Sequence, residues 1–171
     1  MMNVKFTICF SIIILSLSPH QIFSQELQPN SNSNPLSGFE TIIGGEWHQQ
    51  GGYQIFKWGL GKKSVIAENY FIVEGEAQKV SEGVWFWHPE EQQIKGYFTA
   101  INMPVEFFDY TTRFTDDGIE SDLSAYNSSG QLTQYSEKWV FDDQNQISWT
   151  LYSLEGNEKK QVMGGVLKRE N

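Results

Sequence analysis

Beyond Gly45 the chain alternates between apolar and polar residues over most of its length. Successive side chains of a β-strand point to opposite faces, so this period of two predicts half-buried strands. Clusters of Gly, Asp, Asn and Ser interrupt the pattern and predict turns. The ten strands predicted in this way are 46–50, 53–60, 63–74, 77–88, 93–102, 105–115, 118–127, 131–141, 146–154 and 159–168.

The short connections between these segments determine the topology. None is long enough to hold a crossover helix, so consecutive strands must pair antiparallel. An open meander of this length would leave two bare edges, which closure into a barrel removes. The sequence therefore predicts an all-β fold, an up-and-down antiparallel meander closed into a β-barrel of about 8–10 strands. A two-sheet sandwich is the alternative that the pattern leaves open.

A different periodicity precedes the first strand. In "PLSGFETIIGG", Leu36, Phe39 and Ile43 fall at helical spacing, and Ser37 and Glu40 fit a capping box. Two glycines then end the segment. We expect a short N-terminal helix that plugs one end of the barrel.

The first residues have the layout of a secretory signal peptide. Lys5 precedes an apolar run over 6–18 that is too short to span a bilayer comfortably, and Pro19 ends it. We predict a cleaved signal peptide over 1–25, a polar linker over 26–35 and a barrel domain over 36–171. The expected location is secreted or periplasmic, and a retained membrane anchor is the alternative.

Composition narrows the classes of partner. The single cysteine, Cys9, lies inside the predicted signal peptide, so the mature chain would have neither a disulfide nor a thiol nucleophile. The net charge is −9 and no basic run occurs, which disfavours binding to nucleic acid or to anionic lipid. We expect a monomer that binds no nucleic acid and is not stably inserted in a membrane after removal of the signal peptide.

Alternation along the strands predicts which side chains face the barrel interior. Most of them are large aromatic residues, which could line a pocket for an apolar or aromatic molecule. The alternative is that the rings fill the barrel completely. The predicted ligand-binding residues are Phe56, Trp58, Tyr70, Phe98, Tyr110, Glu137, Trp139 and Trp149.

Glu137 is the candidate with the most chemistry. It shares a strand face with Trp139, and a carboxylate on an inward face needs a partner or its pKa rises. Arg113 or the hydroxyl of Tyr70 could supply that partner. The acid could anchor a ligand or act as a general acid/base, or it could make a purely structural hydrogen bond.

No motif indicates a metal or a cofactor. His48 and His88 fall on different predicted strands, and neither has an acid or histidine at ligand spacing. Motifs for a serine nucleophile, a phosphate loop or a dinucleotide are also missing from the sequence. We therefore expect no cofactor and no metal site.

The stretch Gly45-Glu46-Trp47, after a short helix, is similar to the start of calycin or lipocalin-like barrels. With the late pattern "Y-x-E-x-W-x-F" over 135–141, the chain resembles small exported bacterial lipocalin-like domains without known activity. The resemblance implies structural roles for Gly45, Trp47 and Arg169. Trp47 would pack across the closed end of the barrel, covered by Arg169 or its neighbour Lys168.

Three functional hypotheses follow. The first is a barrel that binds a small, mostly apolar or aromatic ligand without catalysis. The second is an enzyme of the isomerase or cyclase type that uses Glu137 and a tyrosine. The third is a protein-interaction module with an exposed patch formed by Trp85, Trp87 and Tyr97. A barrel fold alone does not choose among them.

Overall fold

The computed structural model describes residues 34–156 and 158–170. The predicted signal peptide with Cys9, and nearly all of the predicted linker, lie outside these residues. Within the described ranges, no helix combines the length and apolarity that a membrane span requires. The ten strands are β1 (Glu46–Gln49), β2 (Gly52–Trp58), β3 (Ser64–Val73), β4 (Glu76–His88), β5 (Gln93–Ala100), β6 (Phe107–Thr115), β7 (Gly118–Tyr126), β8 (Leu132–Asp143), β9 (Gln146–Glu155) and β10 (Glu158–Glu170).

The strands form one closed antiparallel barrel in which each strand pairs with its neighbours in sequence. β1 and β10 complete the ring, with Trp47 opposite Arg169 and His48 opposite Lys168. Because closure pairs both edges, no bare edge is left along this ring. The predicted all-β closed meander is confirmed, and the sandwich is excluded.

A single 3₁₀ turn, Ser37–Thr41, precedes β1 where the sequence predicts a short helix. Leu36 occupies the N-cap, and its backbone N–H bonds the Asn34 side chain, so the predicted capping box does not form. Glu40 instead faces Lys62, with a nitrogen–oxygen distance of 3.5 Å. Five residues are too few to hold an α-helix, whose nucleation is costly.

This turn plugs one end of the barrel. Leu36, Phe39 and Ile42 are fully buried there, and the Phe39 ring centre lies 5.2 Å from that of Trp85 and 5.0 Å from that of Phe114. Burial of apolar side chains contributes roughly 1.5–3 kcal/mol for each large residue. The plug is therefore part of the hydrophobic core.

Trp47 is the buried centre of the plugged end. Its indole N–H donates to the carbonyl of Ile42 at 2.8 Å, and the guanidinium carbon of Arg169 lies 4.3 Å from its ring centre. Arg169 also donates to the carbonyl of Thr41. Gly45 has a φ of +68°, and a Cβ there would lie 2.9 Å from the Glu170 carbonyl oxygen, which explains the glycine. The plug, β1 and β10 are thus joined through one tryptophan.

Glycines lie directly across from large rings on the inner face of the barrel. A Cβ at Gly83 would lie 2.3 Å from the Phe98 ring, and one at Gly96 would lie 2.6 Å from the Trp85 ring. These rings therefore lie along the wall, over space that any other residue would occupy. The three cross-strand pairs of this kind are Gly83 with Phe98, Gly96 with Trp85 and Gly165 with Trp149.

Candidate functional site

The end of the barrel opposite the plug is hollow. The strands enclose a cavity of about 680 Å³, which is within the range typical of small-molecule sites. The interior is therefore packed solid only around the plug. The aromatic residues lining the cavity are Phe56, Phe71, Trp85, Phe98, Phe108, Tyr110, Trp139 and Trp149.

Trp85 is the centre of the cavity floor. Its ring centre lies 4.7 Å from that of Phe98, 6.1 Å from that of Tyr110 and 6.3 Å from that of Trp139, all in edge-to-face arrangements. Such pairs contribute roughly 0.5–1.5 kcal/mol each beyond their burial. The floor is accordingly a preformed apolar surface.

The mouth of the cavity combines apolar and amide side chains. Phe71, Ile101, Met103 and Met163 line it, and each is about half exposed to solvent. The amide side chains of Gln49, Gln50 and Asn102 line the cavity as well. Gln54 on β2 and Asn69 on β3 also line it and face each other across the strands, on the side of the ring away from β8. A ligand entering here would meet both apolar surface and hydrogen-bonding groups.

Glu137 lies on the inner face of β8 and is half-buried, with Ser121 and Leu151 as its cross-strand neighbours. Among the cavity-lining residues that the structure describes, it is the only one with a charged side chain. Burial raises the pKa of Glu137 to about 7, and hydrogen bonding from the Trp139 side chain opposes that rise. Near neutral pH the carboxyl group is thus close to half-ionised.

Hydroxyl groups accompany this acid. Burial raises the pKa of Tyr110 well above its usual value, and the nearby Glu137 charge raises it further, so Tyr110 stays a neutral phenol. In the same cross-strand row, the buried hydroxyls of Thr112 and Ser121 lie 2.9 Å apart. Thr112, Ser121 and Glu137 thus form a polar segment of this row, with Ile94 and Leu151 at its two ends.

Neither predicted partner of Glu137 faces the cavity. Arg113 lies on the outer face of β6, where it bonds Glu120 at 2.7 Å and Asp122 at 3.0 Å. Tyr70 also faces outward, with its ring centre 4.9 Å from that of Tyr53. Alternation on β3 gives the inward position to Asn69, so the prediction that Tyr70 lines the cavity is wrong.

Six of the eight predicted ligand-binding residues line the cavity: Phe56, Phe98, Tyr110, Glu137, Trp139 and Trp149. Trp58, like Tyr70, does not. It is the last residue of β2, at the plugged end, where it packs against the core and its ring centre lies 5.4 Å from the Lys62 ammonium. The prediction for Trp58 is wrong because the solid core occupies that depth of the barrel.

The predicted surface patch is also wrong for Trp85, which is buried and faces inward. The signal that places it inward was in the sequence. Residues directly opposite in adjacent strands share a face, and the turn after His88 pairs Trp85 with Gly96, which by alternation lies on the same face as Phe98, a predicted ligand-binding residue. Trp87 is partly buried against the core, and Tyr97 is about half exposed.

An outer aromatic row takes the place of that patch. It crosses four adjacent strands, with successive ring centres 6.3, 6.1 and 6.2 Å apart. Its members are Phe86, Tyr97, Phe107 and Tyr126. Tyr97 and Phe107 are its exposed members, so this row is a surface feature separate from the cavity.

The described residues bring no group of three or more His, Cys, Asp or Glu side chains together at metal-binding distance. His48 faces Glu46 at 3.0 Å, and His88 faces Glu91 at 3.7 Å, at separate places on the barrel. Comparison with known proteins gives no relative, because no protein-family model, curated protein or solved structure matches this chain. The function is therefore inferred from the geometry of the cavity.

Proposed function

We propose that this protein is a binding barrel for a small, mostly apolar or aromatic ligand, built on a calycin-like architecture and related to lipocalin-like exported domains. The observation that carries the proposal is the cavity of about 680 Å³, which has an aromatic floor and one acid in its wall. Concave, largely preformed pockets with few polar groups are the usual form of small-molecule sites.

Ligand binding should change the tryptophan fluorescence, because Trp85, Trp139 and Trp149 all line the cavity. We expect at least one member of a panel of apolar and aromatic compounds to shift or quench the emission and to raise the midpoint of thermal unfolding. Leu151→Phe, which narrows the cavity, should weaken binding. Tyr97→Ala, on the outer face, should leave it unchanged.

The absence of any fluorescence or thermal response across lipids, aromatic compounds and porphyrins would remove the support for this proposal. An equal response in Leu151→Phe and the wild type would place the ligand outside the cavity. Both results are obtained from the same titrations.

A second candidate function is catalysis of the isomerase or cyclase type. It is favoured by the position of Glu137, whose pKa of about 7 suits a general acid/base, beside the neutral phenol of Tyr110. The two functions differ in the fate of the ligand. A binder releases it unchanged, whereas an enzyme converts it and Glu137→Gln stops the conversion.

We further propose that the protein is exported. The apolar run over 6–18, followed by Pro19, supports this proposal. Expression of the full chain in a secreting bacterium should give a mature protein that begins at Gln25 or Glu26 and elutes as a monomer in gel filtration. Mass spectrometry of the purified protein checks the first point, and a mass that still includes Met1 would contradict export by cleavage.

A further inference from the structure

The cavity contains an acid but no base. No Lys or Arg is among its lining residues in the described part of the chain. Lys138, the next residue after Glu137, faces outward and bonds Asp117 at 2.9 Å. Arg113 is paired on the outer face, and Arg169 lies over Trp47 at the plugged end. The charge of Glu137 therefore has no cationic partner from these residues.

Trp139 and Tyr110 are the aromatic residues near this acid. Trp139 follows it on the same face of β8 and lies directly opposite Trp149 on β9. Tyr110 is near enough for the Glu137 charge to raise its pKa. The faces of tryptophan and tyrosine rings attract cations, by about 2 kcal/mol or more where water is excluded. Both the acid and the rings therefore favour a positively charged group on the ligand.

We infer that the ligand of the cavity is an organic amine, with its ammonium group at Glu137 and its apolar body on the aromatic floor. This inference rests on the proposed binding function and specifies the chemical class of the ligand. The amine would supply the missing counter-ion for the carboxylate, and its body would be held by Trp85, Phe98 and the rings around them.

Other ligand classes fit the site less well. An anion would be repelled by the ionised carboxylate, and a neutral apolar molecule would bury that carboxylate further without a cationic partner. A metal ion needs several ligands, and the described residues bring no group of three or more side chains with acid, imidazole or thiol groups together. An ammonium group needs only one carboxylate and aromatic faces.

Binding of an amine should depend on pH. The ammonium group pairs with the ionised form of Glu137, and below about pH 7 it must displace a proton from that carboxyl group. The affinity should therefore fall about tenfold for each pH unit below 7 and level off above it. Among the residues that the structure describes, Tyr110 is the other titratable group near Glu137, and it remains neutral throughout this range, while Ser121 and Leu151 on the flanking strands do not titrate.

Three probes with one skeleton and different charges test the inference: naphthylethylamine, naphthylethanol and naphthylacetate. Each is titrated by calorimetry into the wild type at about pH 8 and in about 1 M salt, where the Debye length is about 3 Å and the general negative charge of the protein is screened. The amine should bind at least about tenfold more tightly than the alcohol, and the acetate should bind most weakly.

Glu137→Gln should remove the preference for the amine and its dependence on pH, and it should not weaken binding of the alcohol, because the neutral amide has no charge to bury. Glu82→Gln is the matched control, because it makes the same chemical change on the outer face, where Glu82 bonds Lys79. It should behave as the wild type. Retention of fold in both variants is checked by their unfolding curves.

The outcomes separate this inference from the proposed function. Binding of the alcohol and the amine with equal affinity, or an amine preference that survives in Glu137→Gln, would overturn the amine inference and leave the binding function intact. Binding of none of the three probes would overturn the amine inference, whereas the proposed binding function is overturned only if the wider panel of lipids, aromatic compounds and porphyrins also gives no response. A preference lost in Glu137→Gln and kept in Glu82→Gln supports both.

Discussion

Replacing Trp47 with alanine should lower the free energy of unfolding by about 3–5 kcal/mol, the usual cost of truncating a buried tryptophan. The indole is fully buried and connects the plug to the barrel, since its N–H bonds the Ile42 carbonyl and its face carries Arg169. Truncation leaves a cavity, an unpaired carbonyl and a guanidinium without its aromatic support. Denaturant unfolding followed by circular dichroism measures the loss.

Trp47→Phe separates the hydrogen bond from the packing. It keeps a ring under Arg169 but removes the donor to Ile42, so we expect a smaller loss of about 1–2 kcal/mol. Tyr97→Ala, which truncates a half-exposed ring on the outer face, should cost less than either. A loss below about 1 kcal/mol for Trp47→Ala would show that the plugged end does not contribute to global stability.

Glu137 by itself should make the wild-type protein roughly 2 kcal/mol less stable to unfolding at about pH 8 than at about pH 5. The folded-state pKa of this acid is about 7, against an ordinary value of 4.5, so the native state holds the proton more tightly than the unfolded state does. Stability is therefore lost as the pH rises from 4.5 through 7. If the whole pKa shift appeared in the free energy of unfolding, the change would be about 3.4 kcal/mol. The change is smaller because solvent screens the charge of this half-buried side chain.

Glu137→Gln should flatten this part of the stability profile and should be more stable than the wild type at pH 8. The acids with lowered pKa values, Glu68, Asp117 and Asp142, act in the opposite direction, but only below their ordinary values near pH 4, outside this window. Chemical denaturation of both proteins across the pH range measures the difference. Parallel profiles for the two proteins would contradict the burial of Glu137.

The strands could be predicted because alternation and turn residues are local features of the sequence, and the closed barrel followed from the short connections between them. The alternation of Ile94, Gly96 and Phe98 sets one face of β5, and the turns have the residues that their backbone requires. Tyr70 and Trp85 were assigned to the wrong faces because the face of a strand depends on its pairing with its neighbours. Trp58 was wrong for another reason, since alternation gives the face but not the depth along the barrel.

The inward position of Glu137 followed from its alternation with Trp139. The outward position of Arg113 was also within reach of the sequence, because it lies three residues after the inward Tyr110 on β6, and two outer carboxylates pair with it there. The presence of the cavity was beyond the sequence pattern. It depends on whether large rings cross the lumen or lie against the wall, which is decided by residues on adjacent strands.

The ring-against-glycine arrangement links the width of the cavity to the pairing of β4 with β5. A methyl group added at position 83 would lie 2.3 Å from the Phe98 ring and 2.5 Å from the backbone carbonyl oxygen of Tyr97. A movement of the ring alone would not relieve the second contact, so the backbone of β5 would have to shift away from β4. A mutation in this glycine codon would therefore alter the chamber and the frame of the barrel together.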